Sequence, residues 1–487
     1  MKIDSRQIAP RVLGTAFILC LAACTAVGPN YQPPPQEMPQ QWNAATPVID
    51  PTPGRTSAKW WSVFNDPLLE SLIAEATAAN PSLRKAEARI REARAQRIIA
   101  GASGSLDASG GASTSRRSDN TGSTGGRQDL FQLGFDAGWE LDLFGGVQRA
   151  KEAAEANLAA SHEDMRDVLV SLQAEVASNY LDLRGNQSRL VTTRNNIAAQ
   201  EKTVELVRGR FQMGLGNELD LMNAETQLAL TKAALPALQR SIQQAMHQLA
   251  ILLGQAPASL TSRLSKETGD LQVPPQIPVN LPSELLRQRP DIRAAERRLA
   301  AATAEIGVAT AELFPKFSLS GLLGLQSRNL SDLISSGSRY WSIGPTLSLP
   351  LFDQGRIRAG IEIGKARRDQ ALAEYQGTVL AALAEVENAL VAFAAEQDTQ
   401  GILTKAVASG KKAVTTANGM YEAGLTGFLD VLQSERALYQ SEDQLAQSRQ
   451  RLTLSLVAIF KALGGGWQGE NTEPSEVDKI PPAYNPT

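Results

Sequence analysis

The chain is poor in the residue types that usually carry chemistry. Its 487 residues include two cysteines and two histidines. His162 and His247 stand apart, without Cys, Asp or Glu at ligand spacing, so no metal centre is expected and both read as surface or interhelical residues. No phosphate-binding glycine loop and no nucleophile elbow occurs, and the seven methionines are too scattered for a soft-metal relay. Neither a cofactor nor enzymatic activity is expected. The formal net charge of −3 offers nothing to nucleic acid. Aromatic residues make up 5% of the chain, too few for a thick globular core. The helical segments are rich in alanine, which suits thin helical layers. Beyond the first 23 residues there is no apolar run of the roughly 18 residues that a membrane-crossing helix needs.

What is present is organised around residues 131–144. Phe131, Leu133, Phe135, Ala137, Trp139, Leu141 and Leu143 alternate with Gln132, Gly134, Asp136, Gly138, Glu140 and Asp142. Successive strand side chains point to opposite faces, so such a strand has one apolar face and one polar, acidic face. Its length exceeds the roughly 9–11 residues that a tilted membrane strand requires. Taken alone, such a run more often belongs to a soluble sandwich. A second copy argues against that: Trp341, Ile343, Pro345, Leu347, Leu349 and Leu351 share one face, and Ser342, Gly344, Thr346 and Ser348 the other. Pro345 and Pro350 do not suit a central strand of a soluble sheet. Each copy passes through Leu-Phe and a glycine turn into a long helical pattern, so the chain is an internal duplication.

At the start, Lys2, Arg6 and Arg11 precede a short apolar core and Leu21-Ala22-Ala23-Cys24. This reads as an export leader over 1–23 that resembles a lipoprotein signal, with Cys24 as the lipidation site. Thr25 in place of an aspartate favours the outer membrane. Residues 24–65 are proline-rich and suit an extended, lipid-linked tether. The first repeat spans 66–254 with strands at 102–115 and 129–144. A linker follows at 255–289, then the second repeat at 290–463 with strands at 315–327 and 340–352, and a tail at 464–487.

The helices repeat at seven-residue spacing. Leu169, Val176, Leu183, Leu190, Ile197, Val204 and Phe211 form the first line. Val379, Val386, Phe393, Gln400, Val407, Val414 and Tyr421 form its counterpart. Returning helices repeat the spacing in Leu221, Leu228, Leu235, Ile242 and Leu249, and in Val431, Leu438, Leu445, Leu452 and Ile459. Such seams impose left-handed supercoiling in a single layer, and a helix from Val147 to Phe211 would be about 95 Å long. Pro236 has Ala446 as its counterpart, so a kink is expected only in the first returning helix. Gly214 and Gly424 are good helix stops.

Four strands cannot close a barrel, and an open edge cannot face lipid. Several copies must therefore share one barrel, with Asp107, Asp136, Glu140 and Asp142 lining a wet lumen. The rival architecture is a lipid-anchored coiled-coil scaffold or adhesin, which accounts for the heptads and Cys24 but not for the two apolar strand pairs.

The chain resembles the TolC-like outer-membrane factors, in the lipoprotein efflux-channel branch. The resemblance rests on Cys24, Gly28-Pro29-Asn30-Tyr31, residues 139–146, residues 347–352 and the two Gly-Leu helix turns. It implies a membrane β-barrel joined to a long α-helical barrel: a homotrimer with a 12-stranded barrel and a 12-helix periplasmic tunnel. It also implies a passive duct that an adaptor protein links to a proton-driven inner-membrane pump. Under that resemblance, Gly214, Leu215, Gly216, Gly424, Leu425 and Thr426 dock the adaptor. Leu429 and Asp430, with Leu219 and Asp220, form the periplasmic gate. Gln433 and Glu422 depart from the family's usual ionic arrangement, which shifts the expected constriction to Leu429. The exported cargo is not legible.

Overall fold

A computed structural model describes residues 26–43, 59–118, 127–266 and 284–467. Cys24 and the leader lie outside the described residues. The described elements are helices α1 (Pro67–Ala79) and α2 (Pro81–Ala102), strands β1 (Asp107–Ser118) and β2 (Arg127–Leu141), and the long helix α3 (Gly146–Gln212). The helices α4 (Glu218–Ala233), α5 (Leu235–Leu252) and α6 (Pro290–Ala311) follow, then β3 (Lys316–Ser327) and β4 (Arg339–Ser348). The second long helix α7 (Arg356–Glu422) and its return α8 (Phe428–Ala462) close the second repeat. Contacts divide the chain into two units, one of Met1–Pro35, Arg89–His162 and Ala294–Gln376, the other of Gln36–Ala88, Glu163–Arg293 and Gly377–Thr487.

The first unit holds a four-stranded antiparallel sheet in the order β1-β2-β3-β4. Its register sets the apolar positions in rows. Phe135 stands opposite Leu323, which stands opposite Trp341. Those three side chains are 70%, 62% and 72% exposed, so the apolar face is bare. Gly110, opposite Phe135, leaves room for that ring, which a Cβ would meet at 3.1 Å. Strand ends differ from expectation for local reasons. β1 starts at Asp107 rather than 102, because α2 runs to Ala102 and closes with Ser105 N–H donating to Ala102 O at 2.9 Å. β2 stops at Leu141 rather than 144, and β4 at Ser348 rather than 352, ahead of Pro350, which has no N–H to donate. Leu322 breaks the alternation on the polar face, opposite Asp136 and Ser342.

The second unit carries the heptad seams. Val176, Leu183, Val204, Val379, Val386 and Phe393 are buried, as are Leu221, Leu249, Val431, Leu452 and Ile459. At one end all four helices meet in one cluster: Val204 and Val207 from α3, Leu221 and Ala224 from α4, Ala417 and Tyr421 from α7, and Phe428, Val431 and Leu432 from α8. Pro236 does split its helix, into α4 and α5 at Ala234, whereas α8 runs unbroken for 35 residues. The proline ring excludes the carbonyl four residues back and offers no N–H, so the ladder is interrupted at that point. α1 begins where Asp66 accepts the Leu68 N–H at 2.9 Å, with Pro67 in the first turn. Where the chain leaves α8, Trp467 lies between two guanidiniums, Arg166 at 4.7 Å and Arg293 at 5.2 Å from its ring centre.

α7 contains an 18-residue window apolar enough to cross a membrane, and 33% of that window is buried. Alanines spread around the helix raise the average without forming an uninterrupted apolar run.

Candidate functional site

Three features could do work: a sheet with two opposite faces, a helical tip and an N-terminal anchor. On the polar face, Asp107 stands opposite Gly138, Asp136 opposite Ser109 and Glu140 opposite Ser318. Asp142 is placed differently, one residue past β2, where its carboxylate accepts the Gln148 N–H at 2.8 Å and caps α3. The second repeat uses the same device. Asp353 accepts the N–H groups of Gly355 at 3.0 Å and Ile357 at 2.8 Å, and these bonds hold its carboxyl below the usual carboxylate range. At the helix-side end of this face Lys316 is held by Glu312 at 2.7 Å.

The tip turns are twin helix stops. Gly214 and Gly424 both have φ of 72°. Leu215 N–H reaches back to Arg210 O, and Leu425 N–H to Met420 O, each at 2.8 Å. Gly214 and Gly424 donate to Phe211 O and Tyr421 O at 3.0 Å, completing a Schellman motif in each repeat. With backbone groups satisfied inside the turn, the side chains after each glycine project outward. Leu215 is 64% exposed and Leu425 73%. Restarts differ: Asn217 caps α4 by accepting the Asp220 N–H at 2.8 Å. Gly427 cannot cap α8 with a side chain, and there the Thr426 hydroxyl donates to the Asp430 carboxylate. Leu219 and Leu429 are both exposed, although Leu221 near the first and Phe428 and Val431 near the second are buried.

Two further residues matter that sequence reasoning did not single out. Arg210 lies 4.6 Å over the Tyr421 ring and donates to the carbonyls of Tyr421 and Glu422 at 2.9 and 3.3 Å. It thus closes the open end of α7 from the other repeat. Burial pushes the Tyr421 phenol up, more than Arg210 pulls it down. The other residue is Arg149, which is buried and gathers the N-terminal segment. Its guanidinium donates to Val27 O at 3.0 Å, Ala26 O and Gly28 O at 3.3 Å, and Asn30 Oδ1 at 2.7 Å. Gly28 has φ of 91° and lies so near Gly307 that a Cβ would meet its Cα at 2.5 Å. Gly28-Pro29-Asn30-Tyr31, expected to be part of a loose tether, is thus a fitted strap, and Tyr31 donates to Glu296 at 3.1 Å. Val27 N–H also donates to Phe144 O at 3.0 Å. Cys24 lies outside the described residues, which begin at Ala26.

Comparison with known proteins places these features in context. The family model described as outer membrane efflux protein matches residues 72–255 and 281–465. Outer membrane protein OprJ of Pseudomonas aeruginosa is 33% identical over 95% of this chain and 97% of its own length. Nodulation protein T of Rhizobium leguminosarum bv. trifolii is 31% identical over 93% of this chain and 96% of its own. The solved structure of the outer-membrane channel OprN superimposes with a TM-score of 0.86 at 39% identity, covering 91% of this chain and all of that one.

Proposed function

The chain belongs to the outer membrane efflux protein family, and from that premise we propose how its residues divide the work of an exit duct. It is an outer-membrane channel subunit of a tripartite efflux system, not an enzyme, and its fold is the family's duplicated strand-and-long-helix fold. The observation that carries the reading is the sheet itself: one face apolar between its ends, with Phe135, Leu323 and Trp341 bare, the other mainly polar, and two 67-residue helices continuing from it. A bare apolar face of that kind belongs in lipid, and its open edges require three copies to close 12 strands. Conductance of purified trimers in a planar bilayer tests this; a protein that inserts but never conducts would remove the duct.

Within that duct the roles are assigned as follows. Asp107, Asp136 and Glu140 line the lumen, while Asp142 stands at its helix-side rim and also caps α3. An acidic lumen concentrates cations, so reversal potentials should show cation preference. Gly214, Leu215 and Gly216, with Gly424, Leu425 and Thr426, form the surface that an adaptor protein grips. That adaptor connects the duct to an inner-membrane pump driven by protons. Leu429 forms the main constriction, where three leucines exclude water and ions, with Asp430, Leu219 and Asp220 beside it. Acylation at Cys24 anchors the subunit. Intact-mass measurement should find lipid on the mature chain, and Cys24→Ala, exported with another leader, should still give assembled channel.

A further inference from the structure

We propose that the outward face of the barrel, at the end remote from the helices, binds phosphate groups of an anionic glycolipid in the outer leaflet. This rests on the reading of the sheet as membrane-spanning. α2 feeds β1, and β2 returns into α3, so residues 114–118, 127–131, 325–328 and 339–341 make up the remote end of the sheet. Arg116 stands opposite Asp129, two positions beyond Thr114 and Phe131, and therefore continues the apolar face. Arg339 stands opposite Leu325, itself opposite Leu133, and continues the same face. At the helix-side end this face finishes instead in Leu141, Phe317 and Leu347, without a cation.

The two arginines are not in the same state. Arg116 is held by Asp129 through two bonds, Nε to Oδ1 at 2.5 Å and a terminal nitrogen to Oδ2 at 2.8 Å. Neither Arg339 nor Arg328, at the start of the β3–β4 connection, meets a carboxylate among the described residues. Among the serines and Asp332 of that connection stand bare apolar side chains, Leu330 at 65% and Ile334 at 87% exposed, with Trp341 at 72% on β4. Guanidinium groups immediately beyond an apolar, aromatic band sit at headgroup depth.

Barrel closure sharpens the argument. β1 and β4 are the outer strands of the sheet, so β4 of one protomer meets β1 of the next. Arg339 then lies on the strand beside the one bearing Arg116, at the same end, at each of three seams. Asp129 already serves Arg116, so an anion arriving at that seam is taken by Arg339. A phosphate monoester suits a guanidinium fork in both charge and geometry. A free phosphate ion would have no use for Trp341, Leu330 and Ile334, whereas a glycolipid brings sugar and acyl chains to cover them.

The test uses purified trimers in detergent and a bis-phosphorylated, hexa-acylated glucosamine disaccharide, followed by native mass spectrometry. Wild-type trimers should retain up to three copies and prefer this lipid about tenfold over its dephosphorylated form. Arg339→Gln with Arg328→Gln should lose about tenfold in retention, while Arg339→Lys recovers part of it. Millimolar inorganic phosphate should not displace the lipid. Equal retention by wild type and the double variant overturns the proposal, as does equal retention of the dephosphorylated lipid or full displacement by phosphate. Conductance of the same preparations separates the two readings. Channels that conduct but show no arginine-dependent retention overturn only the lipid site, whereas wild-type protein that fails to insert and conduct overturns the spanning sheet as well.

Discussion

The two helical hairpins follow one pattern 210 residues apart, yet they differ where the duct would have to move. The first returning helix is split at Ala234 by Pro236, and the second, with Ala446 in the matching place, is continuous. The first turn restarts on an Asn217 cap, the second on Gly427 with a side-chain bond from Thr426 to Asp430. Arg210 of the first repeat closes the end of α7, while its counterpart Met420 does nothing equivalent for α3. Glu225 is an exposed ion-pair partner of Arg208, and its counterpart Glu435 is buried. The seams that hold the hairpins together are alike, and the differences collect near the tip. A duplicated scaffold can supply rigidity twice over, but a closure that opens needs its two halves to differ in how firmly each is held.

The sharpest way to break the symmetry argument is at the turns, which are the most alike. Leu215→Asp with Leu425→Asp should abolish efflux while trimers still form, because the glycine geometry of both turns is untouched. Either single variant should keep part of the activity if the two turns are equivalent. Normal adaptor cross-linking in the double variant would refute the docking role. Next in size is the gate. Leu429→Ser should raise resting conductance several-fold, since a polar ring no longer excludes water. Leu219→Ser and Asp430→Ala should each raise it less. If Leu429→Ser conducts like wild type, the constriction is elsewhere. A smaller effect is expected from Arg210→Met, which makes the first repeat resemble the second. It removes two hydrogen bonds to carbonyl oxygens and a ring contact, a loss of about 1–2 kcal/mol in tip stability. Hydrogen exchange in α7 near Tyr421 should speed up, with conductance rising less than in Leu429→Ser.

What could be read from the sequence was whatever depends on local backbone and periodicity. The alternation in 131–144, the heptad lines, the two glycine stops and the break at Pro236 each follow from residue spacing or restricted dihedrals, and each is present. Contacts between distant residues were not legible. Nothing near Arg149 announces that it will gather four groups 119 to 123 residues away. Asp142 continued the alternation, so strand periodicity claimed it, but a helix N-terminus six residues on competes for the same carboxylate and wins. Trp467 looked like the start of a tail until Arg166 and Arg293 enclosed it.

The finest comparison is between Glu435 and Glu225, the same residue type at matching positions. Glu435 is 3% exposed, and its single partner among the described groups is the Thr203 hydroxyl, which donates at 2.7 Å. Burial raises its carboxyl above the usual range, and the Thr203 bond offsets this only in part. Tyr439 is raised as well, by its own burial first and then by the charge of Glu435. The sign follows from linkage. A carboxyl whose folded value lies above its unfolded value favours the folded state fully below the unfolded value, and that stability is lost as pH rises through the folded value. At neutral pH the buried charge is therefore a liability near the tip. Glu435→Gln keeps an acceptor for Thr203 and removes the charge, so it should stabilise the helical part by about 1 kcal/mol at pH 7 and by much less at pH 4. Glu225→Gln should do no such thing. Its pair with Arg208, at 2.7 Å, is open to solvent on both sides, and exposed pairs are worth roughly 0–1 kcal/mol, so the change should be slightly destabilising or neutral. Thermal unfolding of both variants between pH 4 and pH 8 decides the matter. A pH-independent gain in Glu435→Gln would mean that its carboxyl titrates alike in the folded and unfolded states, and equal responses from the two variants would mean that burial is not what separates the halves.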